Sequence, residues 1–356
     1  MEDNYTKGLA KLIGQLIKVI IFMLLVILAL TVLLYKYLPA YVPSPHEPEI
    51  ELKQAITEAP KVEEKTKYWQ APDITAVVDV DKKEQIAYGK DLIANTALYF
   101  GPEGKVFKSS TNGMNCQNCH LDAGTKIFGN NYSAVASTYP KFRARSGARE
   151  NIYKRVNDCF ERSLNGKGLD TNSKEMQAIT AYINFLGIDV NKGEKPEGSG
   201  LKKLAFLDRA ASPVNGDLVY KAKCQSCHQA NGEGLLNVDK TVYTYPPLWG
   251  KNSYNDGAGL YRISNFASYV KYNMPLGASH DNLLVTDEEA WDLAAFVNSQ
   301  PRPKKDTKND WPNIEEKPFD HPFGPFADGF DEKQHKYGPF KAIQEKLEEI
   351  KKSKSK

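Results

Sequence analysis

Four of the five cysteines in the chain lie in two copies of the motif Cys-x-x-Cys-His, CQNCH at 116–120 and CQSCH at 224–228. Two thiols one helical turn apart can form thioether bonds to the vinyl groups of a haem, and the adjacent histidine then reaches the iron. A zinc site and a thioredoxin-type redox pair are the alternatives, but a histidine directly after both pairs favours haem. We therefore predict two covalently bound haem c groups. Their attachment residues are Cys116, Cys119 and His120 for haem 1 and Cys224, Cys227 and His228 for haem 2.

The two halves that carry these motifs repeat each other. The segment EMQAITAYIN at 175–184 aligns without a gap with EAWDLAAFVN at 289–298, and each has the apolar spacing of an amphipathic helix. The repeat predicts an all-α fold with two tandem cytochrome c-type haem domains, residues 85–200 and 201–302.

The same repeat predicts the second iron ligand of each haem. Met274, in KYNMPLG, lies 15 residues before Glu289, between the motif and the last helix, where a small cytochrome c takes its distal ligand. The residue that aligns with Glu289 is Glu175, and 16 residues before it stands the fifth cysteine, Cys159. We expect Met274 to ligate the iron of haem 2 and Cys159 that of haem 1. The alternative for both sulfur side chains is simple core packing.

Cys159 is also a candidate nucleophile, because the thiolate is the nucleophilic form of cysteine. The stretch before it, YPKFRARSGARENIYKR, is rich in lysine and arginine. Arg145 and Arg149 are four residues apart and are expected to clamp one small dianion, since guanidinium groups present paired donors to oxyanions. Lys154 and Arg155 are assigned to a solvated face. The pattern suggests a small, doubly negative substrate.

An N-terminal membrane anchor is predicted over residues 1–38. The run at 19–34 is uncharged and apolar, and its helical length is about 24 Å before its apolar flanks are added. Lysines are more frequent before the run than after it, which places the amino end in the cytoplasm and the rest in the bacterial periplasm, as a single-pass inner-membrane protein. A cleaved signal peptide is the alternative, although no small-residue cleavage site follows the run.

The remaining segments are a tether and a tail. Residues 39–84 are rich in proline and charge and predict an extended tether. Residues 303–356 begin with a segment rich in Phe, Pro and Gly that we expect to wrap over apolar surface of the haem domains. The net charge of +3, with 26% charged residues, gives no indication of a nucleic-acid partner.

Taken together, these stretches resemble the dihaem thiosulfate dehydrogenase family, which interconverts thiosulfate and tetrathionate. The matching segments are NCQNCHLDAGT, YPKFRARSGA, VNDCFERSLNGKGLD, SKEMQAITAYINFL, CQSCH, NMPLG and HPFGPFADGFDEKQHKYGPF. The resemblance implies a His/Cys-ligated active-site haem and a His/Met-ligated electron-transfer haem. It also implies two active-site arginines and a serine, which fall on Arg145, Arg149 and Ser163. Some members exchange a lysine for the methionine at haem 2; the residue before Met274 here is Asn273, so we expect no such exchange.

The resulting hypothesis is that two thiosulfates couple to one tetrathionate with release of two electrons, or the reverse. Cys159 would form a sulfur–sulfur adduct, with Ser163 donating a hydrogen bond, and haem 2 would pass electrons to a redox partner, either a soluble cytochrome c or a membrane quinol-linked complex. An anchored electron shuttle and a sulfur-carrier cytochrome are the alternatives. The arginine pair beside the cysteine favours an enzyme.

Overall fold

The computed structural model describes residues 2–37 and 67–354, and these described residues belong to two units, one within Met1–Glu63 and the other within Glu64–Lys356. The first unit contains helix α1 (Glu2–Tyr37). Its span Ile13–Val32 is long and apolar enough to cross a membrane, since 20 residues of helix extend about 30 Å. Most of the predicted tether lies outside the described residues.

The second unit begins with a helical module that contains the first haem motif. Its helices are α2 (Val80–Ala94), α3 (Thr96–Phe100), α4 (Leu121–Gly124), α5 (Val135–Thr138), α6 (Ile152–Asp158) and α7 (Lys174–Leu186). A hairpin of β1 (Lys141–Arg143) and β2 (Ala148–Glu150) precedes α6. Short 3-10 turns cover Ile74–Ala76 and Cys116–Asn118. Because α2 begins at Val80, the predicted domain boundary at residue 85 falls inside this helix.

A second helical module follows and contains the second haem motif. Its helices are α8 (Pro213–Lys223), α9 (Gln225–His228), α10 (Ile263–Asn273) and α11 (Asp287–Ser299), with a hairpin of β3 (Leu235–Leu236) and β4 (Tyr243–Tyr245) and a 3-10 turn at Gly259–Tyr261. The tail adds a 3-10 turn at Ile314–Glu316, α12 (Glu332–Tyr337) and α13 (Lys341–Lys354). The described part of the chain is therefore mostly helical, with few strands.

The repeat seen in the sequence is also a repeat of packing. In the first module α2 crosses α7, and in the second α8 crosses α11. A Cβ on Gly89 of α2 would lie 2.0 Å from the carbonyl oxygen of Ala178, and one on Gly216 of α8 would lie 2.0 Å from that of Asp292. Ala178 and Asp292 occupy matching positions in the aligned segments. Glycine is therefore required at both crossings, because only its bare backbone allows this approach.

Polar residues at the ends of these helices set where they begin. The Ser173 side chain accepts a hydrogen bond from the backbone of Met176 and so caps α7. At α11, Thr286 and Glu289 cap each other's backbone in a capping box. Such caps satisfy amide groups that have no partner inside the helix. The first residues of α7 and of α11 are therefore each fixed by a cap.

The tail packs on the core of the second module. Phe340 and Ile343 are buried there with Trp291 of α11. His335 is buried as well, with its Nδ1 2.8 Å from the carbonyl oxygen of Phe319. Burial of these aromatic and aliphatic side chains stabilises the tail against the module.

Candidate functional site

A cavity of about 330 Å³ lies inside the first module. Its walls come from the first haem motif, from α6 and the turn after it, and from the β1–β2 hairpin. The lining includes Cys116, Cys119, His120, Cys159 and Ser163. The three motif residues and two of the predicted site residues thus face one space.

His120 is oriented for iron ligation. Its Nδ1 lies 2.6 Å from the carbonyl oxygen of Asn130, an arrangement that fixes the ring and leaves Nε2 unprotonated. Its ring stacks on that of Tyr132 with centroids 4.5 Å apart. Burial lowers the pKa of His120 to about 4, so the imidazole is neutral, the form that binds metal. Together with the two cysteines in the same cavity, this donor set fits a covalently bound haem c.

Cys159 begins a π turn, Cys159–Ser163, that continues directly from α6. The turn closes with a hydrogen bond of 2.9 Å from the amide of Leu164 to the carbonyl oxygen of Cys159. Single π turns inside helices are frequent at functional sites. Here the turn directs both Cys159 and Ser163 to the cavity.

The assignment of Arg155 to a solvated face is wrong. Arg155 is half-buried, lines the cavity, and donates from Nη1 to the sulfur of Cys159 at 3.2 Å. The pKa of Arg155 is raised, first by the negative charge of a Cys159 thiolate. The neighbouring Lys154 is exposed and pairs with Asp158. Arg155 lies four residues before Cys159, one turn of α6, which is the signal that would have identified it.

Three further cations line the cavity, Lys141 and Arg143 from β1 and Lys195 from the loop after α7. Burial and the charges of Arg143 and Lys195 lower the pKa of Lys141. Cations this close repel one another unless anions lie between them. The cavity is therefore suited to anionic groups, the propionates of a haem held by the first motif among them.

The structure does not form the predicted clamp of Arg145 and Arg149. Residues 141–150 are a hairpin rather than a helix, so the spacing of four does not bring the two guanidinium groups to one point. Arg149 is exposed and donates to the carbonyl oxygen of Pro140 at 3.0 Å. Arg145 turns to the second module and donates to the carbonyl oxygen of Gly257 at 2.7 Å. Burial, followed by the charge of Arg162, lowers the pKa of Arg145 to about 10.

The second haem motif has a similar arrangement. His228 has its Nδ1 2.8 Å from the carbonyl oxygen of Pro246, so its Nε2 is also left for iron. Cys224 and Met274 pack against the same hydrophobic core. Met274 lies directly after α10, where the helix ends. These residues fit a second haem c.

Helix α10, which ends just before Met274, also contacts the first motif. The hydroxyl of Tyr269 donates to the carbonyl oxygen of Asn118 at 2.7 Å, inside CQNCH. Asn273, the residue directly before Met274, donates to the carbonyl oxygen of Phe128 at 3.0 Å. Helix α10 therefore joins the first haem module by hydrogen bonds to the segment that carries Met274.

Comparison with known proteins assigns a domain to each module. A family model described as SoxA/TsdA, cytochrome c domain matches residues 105–189, and a cytochrome c model matches residues 213–301. Two tandem cytochrome c domains are thereby established, and with them two covalently bound haem c groups.

Relatives that align with more than half of this chain carry one name. Thiosulfate dehydrogenase from Psychrobacter arcticus is 42% identical over 57% of this chain and 61% of its own length. The enzyme of the same name from Allochromatium vinosum is 40% identical over 54% of this chain and 71% of its own. The solved structure of thiosulfate dehydrogenase (TsdBA) from Marichromatium purpuratum, in its as-isolated form, has a TM-score of 0.61 and 28% identity, and covers 67% of this chain and 50% of that one. The chain thus spans under two thirds of the Psychrobacter relative and half of the Marichromatium chain.

Proposed function

The chain belongs to the thiosulfate dehydrogenase family, and on that premise we propose that it interconverts thiosulfate and tetrathionate at Cys159. In the oxidative direction two thiosulfates give one tetrathionate and two electrons; tetrathionate reduction is the reverse. One observation carries the proposal: Arg155 lies 3.2 Å from the sulfur of Cys159, in a cavity lined by further cations. Cations around the cavity also suit the two propionates of a haem, so the contact between Arg155 and the cysteine sulfur, which electron transfer alone does not require, is the feature that favours catalysis.

Cys159 would react in two steps. Its thiolate forms a bond to the sulfane sulfur of one thiosulfate as two electrons leave, which gives a cysteinyl thiosulfonate. The sulfane sulfur of a second thiosulfate then attacks the same atom, the bond to Cys159 breaks, and its electron pair returns to the cysteine sulfur. Tetrathionate departs and the thiolate is restored. When bound, haem c supplies one-electron redox centres, and two of them match a two-electron reaction.

The cations would overcome the repulsion among three negative groups. A thiolate and two dianions repel one another, and fixed positive charge in a half-enclosed site offsets this repulsion more strongly than water does. Arg155 would hold the thiolate and the first anion, while Lys141 and Lys195 would attract the second; Arg143 lies 3.9 Å from the buried carboxylate of Glu150, which offsets its charge. Ser163 would donate a hydrogen bond to a sulfonate oxygen.

We propose further that α1 is a retained single-pass anchor in the bacterial inner membrane, with the haem domains in the periplasm. The apolar span Ile13–Val32 and the lysines before it support this placement. The electron acceptor would then be a soluble cytochrome c or a membrane quinol-linked complex. The intact mass of the protein purified from membranes tests retention, since a cleaved signal peptide would be absent from it.

Tetrathionate formation by the full chain in detergent, with ferricyanide as acceptor, tests the activity. We expect turnover in the wild type and its loss in Cys159→Gly with both haems still attached. A pure electron shuttle would show no dependence on thiosulfate and would tolerate Arg155→Gln. A sulfur carrier would show a persulfide mass on Cys159 without forming tetrathionate.

A further inference from the structure

The π turn that carries Cys159 has two faces with different partners. Cys159, Phe160 and Ser163 line the cavity. Glu161 and Arg162 are held on the other side by residues of the second module and the tail. A π turn is a rare conformation, so the contacts on its outer face bear directly on where the cysteine sulfur lies.

The strongest of these contacts is an ion pair with the tail. Arg162 donates from Nη1 and Nη2 to the two carboxylate oxygens of Asp310, at 2.9 and 2.8 Å. Both side chains are only 11% exposed. A two-pronged arginine–carboxylate pair fixes orientation as well as distance, and solvent screens it little at this burial. Asp310 therefore fixes the side chain of a residue inside the π turn.

Backbone contacts reinforce the same face. Asn255, which is 1% exposed, donates from its amide to the carbonyl oxygen of Arg162 at 3.1 Å and from its side chain to that of Glu161 at 2.9 Å. The ammonium of Lys305 lies 3.3 Å from the carboxylate of Glu161. The turn is thus held at consecutive residues by groups from outside its own module.

The tail segment that supplies Asp310 also holds the hairpin. An Asp310 oxygen lies 3.6 Å from Nη1 of Arg145. The amide of Trp311 donates to the carbonyl oxygen of Arg145 at 2.7 Å, and the Arg145 guanidinium lies over the Trp311 ring at 5.4 Å. The hairpin contributes Lys141 and Arg143 to the cavity. Two walls of one cavity are therefore connected by two consecutive tail residues.

We propose that Asp310 is a positioning residue for the reactive cysteine: by pairing with Arg162 and Arg145 from outside the cavity, it fixes the π turn and the hairpin relative to each other. This proposal rests on the role of Cys159 in the function proposed above. Without the carboxylate, two buried guanidinium groups that both approach the carbonyl oxygen of Gly257 would repel each other. The turn would then shift, and Cys159 with it.

Asp310→Asn in the haem-loaded full chain tests the proposal, with two readouts. The first is the electron paramagnetic resonance spectrum, in which the signal of the His/Cys centre should change while that of the His/Met centre stays. The second is kcat for thiosulfate oxidation, which should fall by about tenfold to a hundredfold, the range for a displacement of a reacting group by up to about 1 Å. Asp310→Glu keeps the charge and should recover part of both. Asp306→Asn, an exposed tail aspartate, is the matched control and should change neither.

Gly257→Ala provides a second route if Asp310→Asn is poorly folded. A Cβ there would lie 2.7 Å from Nη1 of Arg162, so the guanidinium must move although no charge is lost. It should change the His/Cys signal in the same way. A wild-type spectrum and kcat in either folded variant would overturn the proposal while leaving the proposed function intact. Because the spectrum does not depend on turnover, the positioning role is tested even if thiosulfate proves not to be the substrate.

Discussion

Replacing Arg155 by glutamine should impair the reaction without disturbing the fold. In the structure the Arg155 guanidinium donates to the Cys159 sulfur at 3.2 Å. At an effective dielectric of about 20, Coulomb's law gives roughly 5 kcal/mol as an upper limit for such a pair. A hydrogen bond to a charged group contributes a net 1.5–3 kcal/mol or so. At about 1.4 kcal/mol per factor of ten, we expect kcat/KM for thiosulfate to fall by roughly 10- to 150-fold.

Thiosulfate-dependent reduction of ferricyanide, measured at fixed ionic strength with equal haem content, is the assay. Arg155→Lys retains the charge without the planar pair of donors, so its kcat/KM should fall by less than that of Arg155→Gln. Lys154→Gln removes the adjacent cation, which is exposed and paired with Asp158, and is the matched control. If Arg155→Gln kept kcat/KM within about threefold of the wild type, or if Lys154→Gln lost as much, the assignment of Arg155 to the reacting cysteine would be refuted.

Three other predictions concern the fold, the tail and the second haem. Gly89→Ala and Gly216→Ala should each lower the free energy of unfolding by about 1–3 kcal/mol because of overpacking at the helix crossings. The helix preference of alanine alone would raise it by about 1 kcal/mol, so the sign of the change in urea unfolding distinguishes the two effects. Burial lowers the pKa of His321 to about 4, below about 6.5 in the unfolded chain. Protonation therefore favours unfolding, and stability should fall by about 2 kcal/mol between pH 7.5 and pH 5; equal urea midpoints for wild type and His321→Asn at both pH values would contradict this. Met274→Gly should slow electron transfer out of the protein with KM for thiosulfate unchanged within about threefold, and unchanged rapid-mixing reduction of haem 2 would contradict its assigned role.

How much of the site the sequence could predict depended on the range of the interactions. The haem motifs are local patterns, so their residues followed from spacing alone. Cys159 and Met274 were predicted as iron ligands because the chain repeats itself, and the structure places Cys159 in the cavity of the first haem motif. Arg155 was missed although its spacing from Cys159 is one helical turn, because a run of basic residues was interpreted as a solvated surface.

The hairpin and the tail contacts had no comparable signal. The segment RARSGARE offered a spacing of four that suits a helix, whereas its pairing as β1 and β2 depends on a turn and on neighbours far along the chain. Lys195 reaches the cavity from a loop after α7, and Asp310 reaches Arg162 across 148 positions of sequence. No local sequence pattern predicts such contacts. These are tertiary contacts that only the folded chain reveals.

The arginines near Cys159 differ in what they contact, and that difference separates their roles. A guanidinium that already pairs with a carboxylate has little attraction left for a substrate anion, because the nearby negative charge cancels most of its field. Arg162 and Arg145 share Asp310 and so are suited to hold structure. Arg155 instead donates to the sulfur of Cys159, and once that sulfur has bonded to a thiosulfate the thiolate charge is gone and the charge of Arg155 faces the bound anion. Arginine is thus suited to two tasks in this chain: Arg162 and Arg145, paired with a tail carboxylate, fix the walls of the cavity, and Arg155 inside the cavity is placed to bind an anion that joins Cys159.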